Sequence, residues 1–208
     1  MRTFEHRFHF ALTLVGLLLS GQSLPCEPPP GFVNPPRPDI ASLEELLTHT
    51  EEIEIARSLA DVVQAGNRPL SQGIRPTAGM PGVSGTFRLT SEDYGTVGGR
   101  RLVCLDDGSF TLEEVLHREV HDERRVFRYA VWNYTRPTFR DVHYAIGEFI
   151  HTQPEPNKTH IRWTYRFALK EGRDPEAFRS FLDTTFAEWM RTLLARGRAN
   201  AEAAPAAQ

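Results

Sequence analysis

A series of short strand-like segments followed by a single amphipathic helix constrains the fold of this chain more than any other feature. Six such segments lie between residues 85 and 169, and clusters of Gly, Pro, Asp and Asn separate them. This regular spacing predicts an antiparallel meander. In the last segment, "HIRWTYRFAL", bulky apolar residues alternate with polar ones, which predicts one buried and one solvated face.

The helix follows at the carboxyl-terminal end of the chain. Asp174 is a suitable N-cap, and Pro175 suits the first helical turn. Apolar side chains then recur with helical spacing along one side: Phe178, Phe181, Leu182, Phe186, Trp189, Met190, Leu193 and Leu194. We therefore predict one long helix across the buried face of the sheet, and a disordered tail over residues 198–208.

The segments before the meander are shorter and more varied. Residues 24–40 contain seven prolines and predict an extended arm. Ser42 and Glu45 form a capping-box pattern, which predicts a short helix in "SLEELLTH". "EEIEIA" alternates like a strand, and "SLADVVQAGN" is typical of a second short helix. These patterns assign residues 41–197 to one domain.

The first 23 residues have the pattern of a secretory signal. Arg2 and Arg7 supply positive charge, "ALTLVGLLL" is apolar, and small residues follow at Gly21 and Ser23. We expect this segment to be cleaved, which predicts a secreted or periplasmic protein. The alternative is a membrane anchor through the same segment, although its apolar run is shorter than the about 20 residues that span a bilayer.

The two cysteines, Cys26 and Cys104, leave two interpretations open. In an oxidising compartment they form a disulfide that ties the arm to the domain. Alternatively, Cys104 is a small buried residue within the apolar run "RLVCL".

Composition and motifs exclude several classes of function. The chain has 40% hydrophobic and 25% charged residues, which is typical of a globular protein. Its net charge of −3 provides no general attraction to nucleic acid. "HREVH" lacks the order and the helical context of a zinc motif, so no metal site is predicted. "YGTVGG" lacks the glycine spacing of a dinucleotide site, and no cofactor is predicted.

Residues 126–152 crowd aromatic and polar side chains into two neighbouring strands. Alternation places one set of side chains on a common face: Phe127, Tyr129, Val131 and Asn133 from the first strand, and His143, Ala145, Gly147 and Phe149 from the second. With this face toward the helix, the small residues leave room for a mostly apolar cavity with a few polar groups. The alternative is a solid core.

The opposite assignment of the first strand also stays open, because both of its faces carry aromatic residues. Arg128, Ala130, Trp132 and Tyr134 then point inward. If Trp132 instead lies outside, it forms an exposed patch that suits a homodimer or the proline-rich arm.

Glu114 shares the parity of the apolar residues Phe110, Leu112 and Leu116 on its strand. One interpretation is an inward carboxylate with a raised pKa that acts as a general base. The other is an ion pair with Arg101 or Arg128, which is the more frequent arrangement for such a residue.

The stretch "GMPGVSGTFRLT…GRRLVCLDDGSFTLEEVLHREVHDERRVFRYAVWN" resembles the polyketide cyclase/dehydrase and lipid-transport proteins of the START/Bet v 1-like (SRPBCC) superfamily. "THIRWTYRFAL" and the final helix resemble the closing strand and helix of that superfamily, and the likeness covers roughly residues 50–197. It implies an α+β helix-grip fold, in which a curved antiparallel β-sheet wraps around a long C-terminal α-helix over an apolar cavity.

We therefore expect the protein to bind or transport a hydrophobic small molecule such as a lipid, a sterol or a polyketide-like compound. The alternative is a cyclase or dehydratase in which His143, Glu114 or Tyr129 moves protons. Peripheral contact with a membrane, a homodimer, and an interaction protein that uses the arm and Trp132 are further hypotheses. No catalytic residue is assigned. The expected ligand-binding residues are Phe127, Tyr129, Asn133, His143, Trp163, Tyr165, Phe186 and Met190.

Overall fold

The computed structural model describes residues 26–205, so the expected signal segment, residues 24–25 of the arm and the last three residues lie outside it. The strands are β1 Leu47–Ile55, β2 Val83–Arg88, β3 Arg100–Leu105, β4 Phe110–Val120, β5 Arg124–Trp132, β6 Val142–Glu155 and β7 Lys158–Leu169. The helices are α1 Leu59–Gly66, α2 Leu70–Gly73, α3 Pro175–Phe181 and α4 Ala187–Ala203, with a π-helical turn at Leu182–Phe186 between α3 and α4.

The seven strands form one antiparallel sheet in the order β1-β7-β6-β5-β4-β3-β2. Strands β2 to β7 follow one another as the predicted meander, and β1 pairs with β7 at the far edge. Four register shifts interrupt the pairing, and such bulges bend and twist a sheet. The curved sheet and the long final helix form a helix-grip fold, as the sequence predicted.

The final helix is continuous from residue 175 to residue 203. Its N-cap is as expected, since the Asp174 side chain accepts a hydrogen bond from the backbone nitrogen of Glu176 at 2.9 Å. The disordered tail that we expected after residue 197 is helical up to Ala203. Ala201 is fully buried, and the Arg57 guanidinium donates a hydrogen bond of 2.7 Å to the Glu202 carbonyl, which holds this last turn against the domain.

The short helix expected in "SLEELLTH" is reduced to a 3₁₀ turn at Leu43–Glu45, and the Ser42 side chain makes no capping hydrogen bond. Strand β1 already begins at Leu47 and pairs with β7 from Leu47 opposite Phe167 to Ile55 opposite Thr159. The hydrogen bonds of this ladder outweigh the local helical preference of the segment.

Both faces of the sheet are covered. The concave face packs against α1, α3 and α4, while the convex face carries a second apolar cluster made of Leu102, Leu112, Ala130, Trp132, Tyr144 and Ile146. Phe32 and Ile40 of the proline-rich arm pack against this convex cluster, and the backbone nitrogen of Ala41 donates a hydrogen bond of 2.8 Å to the Tyr144 hydroxyl.

The arm therefore occupies the surface that we considered for other partners. Trp132 lies on the convex face and is only 3% exposed, so it offers no exposed patch for a homodimer. Contact with a homodimer partner and contact with the arm were the two hypotheses for an outward Trp132, and the structure shows Trp132 packed beneath the arm.

A disulfide between Cys26 and Cys104 fastens the beginning of the arm to β3, with the two Cα atoms 5.6 Å apart. Gly85 on the neighbouring strand lies directly beside it, and a Cβ atom there would come within 2.8 Å of the Cys26 Cβ atom. The sequence left this pairing open, and the structure forms it.

Candidate ligand-binding site

The groove between the concave face of the sheet and the final helix has a filled end and an open end. At the filled end, aromatic rings of the sheet and helix are in direct contact. Ring centroids lie 5.3 Å apart for Phe167 and Phe178, 5.1 Å for Phe167 and Phe186, and 5.5 Å for Phe139 and Phe181. These rings occupy most of the space beneath α3 and the π-helical turn, and Phe139, Phe167 and Phe186 also line a smaller cavity there.

At the open end, a cavity of about 330 Å³ remains beneath α4. Its apolar wall is formed mainly by side chains of the sheet, α1 and α4: Ile55, Val62, Phe127, Ile161, Trp163 and Leu193. Ligand pockets are commonly between about 300 and 1,000 Å³, so this volume suits a small ligand. Among the lining residues, Gly66, Arg68, Gly197 and Asn200 are exposed, and we call this opening between α1 and α4 the cavity mouth.

A polar cluster faces the apolar wall. Glu113 is only 7% exposed, and its carboxylate accepts a hydrogen bond of 2.7 Å from Nε of Arg101. The Arg101 guanidinium also lies over the Tyr94 ring, 3.5 Å from its centroid. The hydroxyl groups of Tyr129 and Tyr165 are 2.7 Å apart. Glu113, Arg101 and the three tyrosines all line the cavity, which gives it one polar patch.

Burial controls the protonation of the titratable groups in this wall. Burial, with the nearby Glu113 charge as a further cause, raises the pKa values of Tyr94, Tyr129 and Tyr165, so their phenols stay protonated and can donate hydrogen bonds. Burial and the Arg125 charge lower the pKa of His151 to about 4. His151 is therefore neutral near pH 7 and contributes an aromatic surface to the cavity.

A second cavity of about 90 Å³ adjoins the first. The two share Leu70 and Ile74 of the α2 segment together with Glu113, Tyr165 and Trp189. The Glu113–Arg101 pair thus lies at the boundary between the two spaces, and the short helix α2 covers that boundary.

The expected ligand-binding residues fall into three groups. Phe127, Tyr129, Trp163 and Tyr165 line the larger cavity, and Phe186 lines the smaller one. Met190 is fully buried in the concave core and lines neither cavity. Asn133 and His143 are exposed, so these two do not face the helix.

Breaks in strand alternation explain the two misplaced residues. Asn133 follows the last residue of β5 and has a positive φ of 57°, so the alternation ends before it. His143 lies at a register shift between Val142 and Tyr144, and this extra residue is turned out to solvent. Val142 is buried in the concave core instead.

Gly147 has a different role from the one expected of it. A Cβ atom at this position would lie 2.4 Å from Cζ of Tyr129, so the space above Gly147 is occupied by the Tyr129 ring. The glycine thereby places the Tyr129 hydroxyl beside Tyr165, and the open volume lies elsewhere.

The carboxylate that faces the cavity is Glu113, not Glu114. The Glu114 carboxylate lies on the convex face, where it accepts hydrogen bonds from Nε of Arg37 at 3.1 Å and Nε of Arg100 at 2.5 Å. Ion pairing was the favoured interpretation of Glu114, but its partners are neither Arg101 nor Arg128. The apolar residues that share its parity pack beneath the arm.

Four residues of the cavity wall were not among the expected site residues: Tyr94, Arg101, Glu113 and His151. The available signal was the arm itself, since its Phe32 and Ile40 require an apolar surface to pack on. In the structure this surface includes the even-numbered residues Phe110, Leu112 and Leu116 of β4, so Glu113 points to the opposite, concave face. Within residues 26–205, no three His, Cys, Asp or Glu side chains are grouped so that they could hold a metal ion. No helix in this part of the chain is long and apolar enough to cross a membrane.

Solved structures with the same architecture share little sequence with this chain. Ara h 8.0201 is 14% identical over 74% of this chain and 99% of its own, with a TM-score of 0.50. A START superfamily protein from Mycobacterium smegmatis is 11% identical over 74% of this chain and 97% of its own, with a TM-score of 0.52. A hypothetical protein from Helicobacter pylori is 10% identical over 74% of this chain and 88% of its own, with a TM-score of 0.57.

No family profile and no curated protein matches the sequence. At these identities the likeness concerns the fold, and the chain has the helix-grip fold that these solved structures share.

Proposed function

We propose that this protein binds and carries a small, mainly hydrophobic molecule in the larger cavity. The observation that carries this proposal is the volume of about 330 Å³ left open between the sheet and α4, with a largely apolar and aromatic wall. Burial of apolar ligand surface contributes about 25 cal/mol per Å², so binding needs no reactive group. The Glu113–Arg101 pair and the tyrosine hydroxyls favour a ligand with at least one polar group, because they keep hydrogen-bonding capacity beyond their bonds to one another and a purely apolar ligand would desolvate it.

The proposed site of action is outside the cytoplasm. The signal-like pattern of residues 1–23 supports this location, and so does the Cys26–Cys104 disulfide, because such bonds persist in oxidising compartments. Fractionation of cells that produce the full chain with a carboxyl-terminal tag tests it. Recovery of an unprocessed chain with free thiols from the cytoplasm would contradict this location.

Native mass spectrometry of the purified protein, followed by solvent extraction, tests ligand binding. Ala65→Phe adds a ring to the cavity wall from α1, and Gln64→Phe adds the same ring at an exposed position of α1 outside that wall. We expect Ala65→Phe to lose the co-purified mass or its affinity for an apolar probe, while Gln64→Phe keeps both. Equal behaviour of wild type and both variants toward every probe would show that the cavity is not the binding site.

Acid–base catalysis in the same cavity is the second candidate, because Glu113, Tyr129 and Tyr165 converge there. A hydrogen bond from Arg101 already occupies one oxygen of the Glu113 carboxylate, and the phenols are weak acids with raised pKa values. These properties favour binding over proton transfer. Turnover of a polyketide-like substrate that Glu113→Gln abolishes, with substrate affinity retained, would reverse this order.

A further inference from the structure

Resting on the proposed function, we propose that the ligand is an anionic amphiphile, whose acidic group is held by Arg68 and Arg196 at the cavity mouth. Its apolar part then occupies the larger cavity.

The charge of the cavity wall carries this inference. Its charged residues are Arg68, Arg101, Arg196 and Glu113. Glu113 pairs with Arg101, which leaves two positive charges without a negative counterpart in the wall. The whole chain has a net charge of −3, so this local excess is opposite in sign to the protein.

The contacts of the two arginines hold them in place but leave their charge uncompensated. Nε of Arg68 donates to the Ala65 carbonyl at 2.8 Å, while Nη1 and Nη2 of Arg196 donate to the Arg75 and Pro76 carbonyls at 3.2 Å and 3.5 Å. Among residues 26–205, no carboxylate lies within 4.0 Å of either guanidinium. Each keeps further N–H donors, and such forked donors suit a carboxylate or a phosphate.

A third arginine near the wall strengthens the local positive charge. Arg125 is the cross-strand neighbour of His151, whose ring lines the cavity. Nε of Arg125 is buried and has no hydrogen-bond partner in the part of the chain that the structure describes. His151 is neutral near pH 7, so it neither adds to this charge nor cancels it.

The volume limits the apolar part of the ligand. About 330 Å³ accommodates one medium-length chain or a small ring system, whereas a lipid with two long chains exceeds it. A single-chain acid such as decanoate therefore fits both the volume and the charge, and 1-decanol is its uncharged counterpart.

Calorimetric titration with decanoate and 1-decanol at pH 8 and low salt tests the proposal. The acid 1-naphthoate and the uncharged 1-naphthol form a second pair of probes. We expect each acid to bind about tenfold more tightly than its uncharged counterpart, because a charge-assisted contact at a partly exposed site is worth about one such factor. This preference should shrink as salt is added, because the mouth is open to solvent.

The variant Arg68→Gln/Arg196→Gln should lose the preference for the acid and keep the affinity for the alcohol. Arg198→Gln removes the same charge from an exposed position of α4 outside the cavity wall and should change neither. Arg68→Gln alone provides a second test if the double variant is unstable, because Arg68 is exposed and its Nε donates only to the carbonyl of Ala65, three residues earlier in the chain.

The outcomes separate the two proposals. Equal or tighter binding of the alcohols to the wild type would overturn the anionic ligand while leaving the carrier function in place. An acid preference that Arg68→Gln/Arg196→Gln retains would also overturn it. If neither the chain-like pair nor the ring-shaped pair of probes binds, the proposed carrier function is wrong, and the proposal of an anionic ligand is wrong with it.

Discussion

Glu113 and Glu114 are neighbours on β4, yet they lie in two differently built regions of the molecule. Glu113, on the concave face, pairs with Arg101 and borders open space beneath α4. Glu114, on the convex face, is held between Arg37 of the arm and Arg100 of β3. Both glutamates, taken as whole residues, are less than a tenth exposed. The difference shows that the segment covering each face, and not the strand itself, determines whether a buried carboxylate is enclosed by packed side chains or borders a cavity.

The two covering segments differ in what they can do. The arm is an extended chain that follows the convex surface closely and is fixed by a disulfide, so its side chains fill the gaps. A helix is a stiff rod that contacts a curved sheet along part of its length, and aromatic rings fill only one end of the remaining groove. We therefore expect changes on the convex face to alter stability and changes on the concave face to alter binding.

Two tryptophans with equal burial provide the largest expected contrast. Trp132 on the convex face and Trp163 on the cavity wall are each 3% exposed. Trp132→Ala should lower the free energy of unfolding by about 3–5 kcal/mol and leave probe affinity unchanged, because it creates a void in a filled core. Trp163→Ala should cost less and should change probe affinity, because it enlarges an existing cavity. Urea unfolding and probe titration of both variants measure this; identical profiles would remove the contrast.

Removal of the disulfide tests how the arm is held. Cys26→Ser/Cys104→Ser should lower the free energy of unfolding by about 2–4 kcal/mol, because the unfolded chain regains the freedom of a long loop. The bond joins residues 78 positions apart. Titration with the apolar probe serves as the control and should give the wild-type affinity. A loss of probe binding by a folded variant would show that the two faces are coupled.

The neighbouring carboxylates should respond differently to the same chemical change. Glu114→Gln should cost about 2 kcal/mol of stability, less than for a fully buried pair, because Arg37 and Arg100 are about a quarter exposed. Glu113→Gln should have a smaller effect on stability than Glu114→Gln, because Arg101 can recruit water from the cavity. Glu113→Gln should have the larger effect on the binding of polar probes. Thermal unfolding and titration of the two variants compare them directly.

The smallest expected effect is the pH dependence from His151. Its pKa in the folded protein is about 4, below the 6.5 of an unfolded chain, so the unfolded state binds the proton more readily. This contribution to stability is therefore fully present above pH 6.5 and is lost as the pH falls toward 4. We expect a loss of about 1 kcal/mol for this half-buried ring, and a smaller loss in His151→Gln. Denaturant midpoints at pH 7 and pH 4.5 measure both.

Much of the fold could be predicted because it rests on local patterns. The antiparallel meander of β2 to β7, the start of the final helix at Asp174 and Pro175, and the alternation of β7 agree with the sequence patterns. The predictions failed where a local pattern met a tertiary constraint: "SLEELLTH" joins the edge of the sheet, His143 is bulged, and residues 198–203 are helical. Four of the expected site residues line the larger cavity, because they lie on regular parts of β5 and β7.

By itself, the sequence determined the order of the elements, their amphipathic faces and the resemblance to the helix-grip fold, because these depend on residues close together in the chain. Only the tertiary structure decided which face of β4 and β5 borders the cavity, that Cys26 pairs with Cys104, and that aromatic rings fill one end of the groove and leave the other open. The physical reason is that both faces of these strands are apolar. The choice between the faces depends on where the arm and the final helix settle, and they lie about 150 residues apart in the chain, beyond the reach of the side-chain periodicity of either segment.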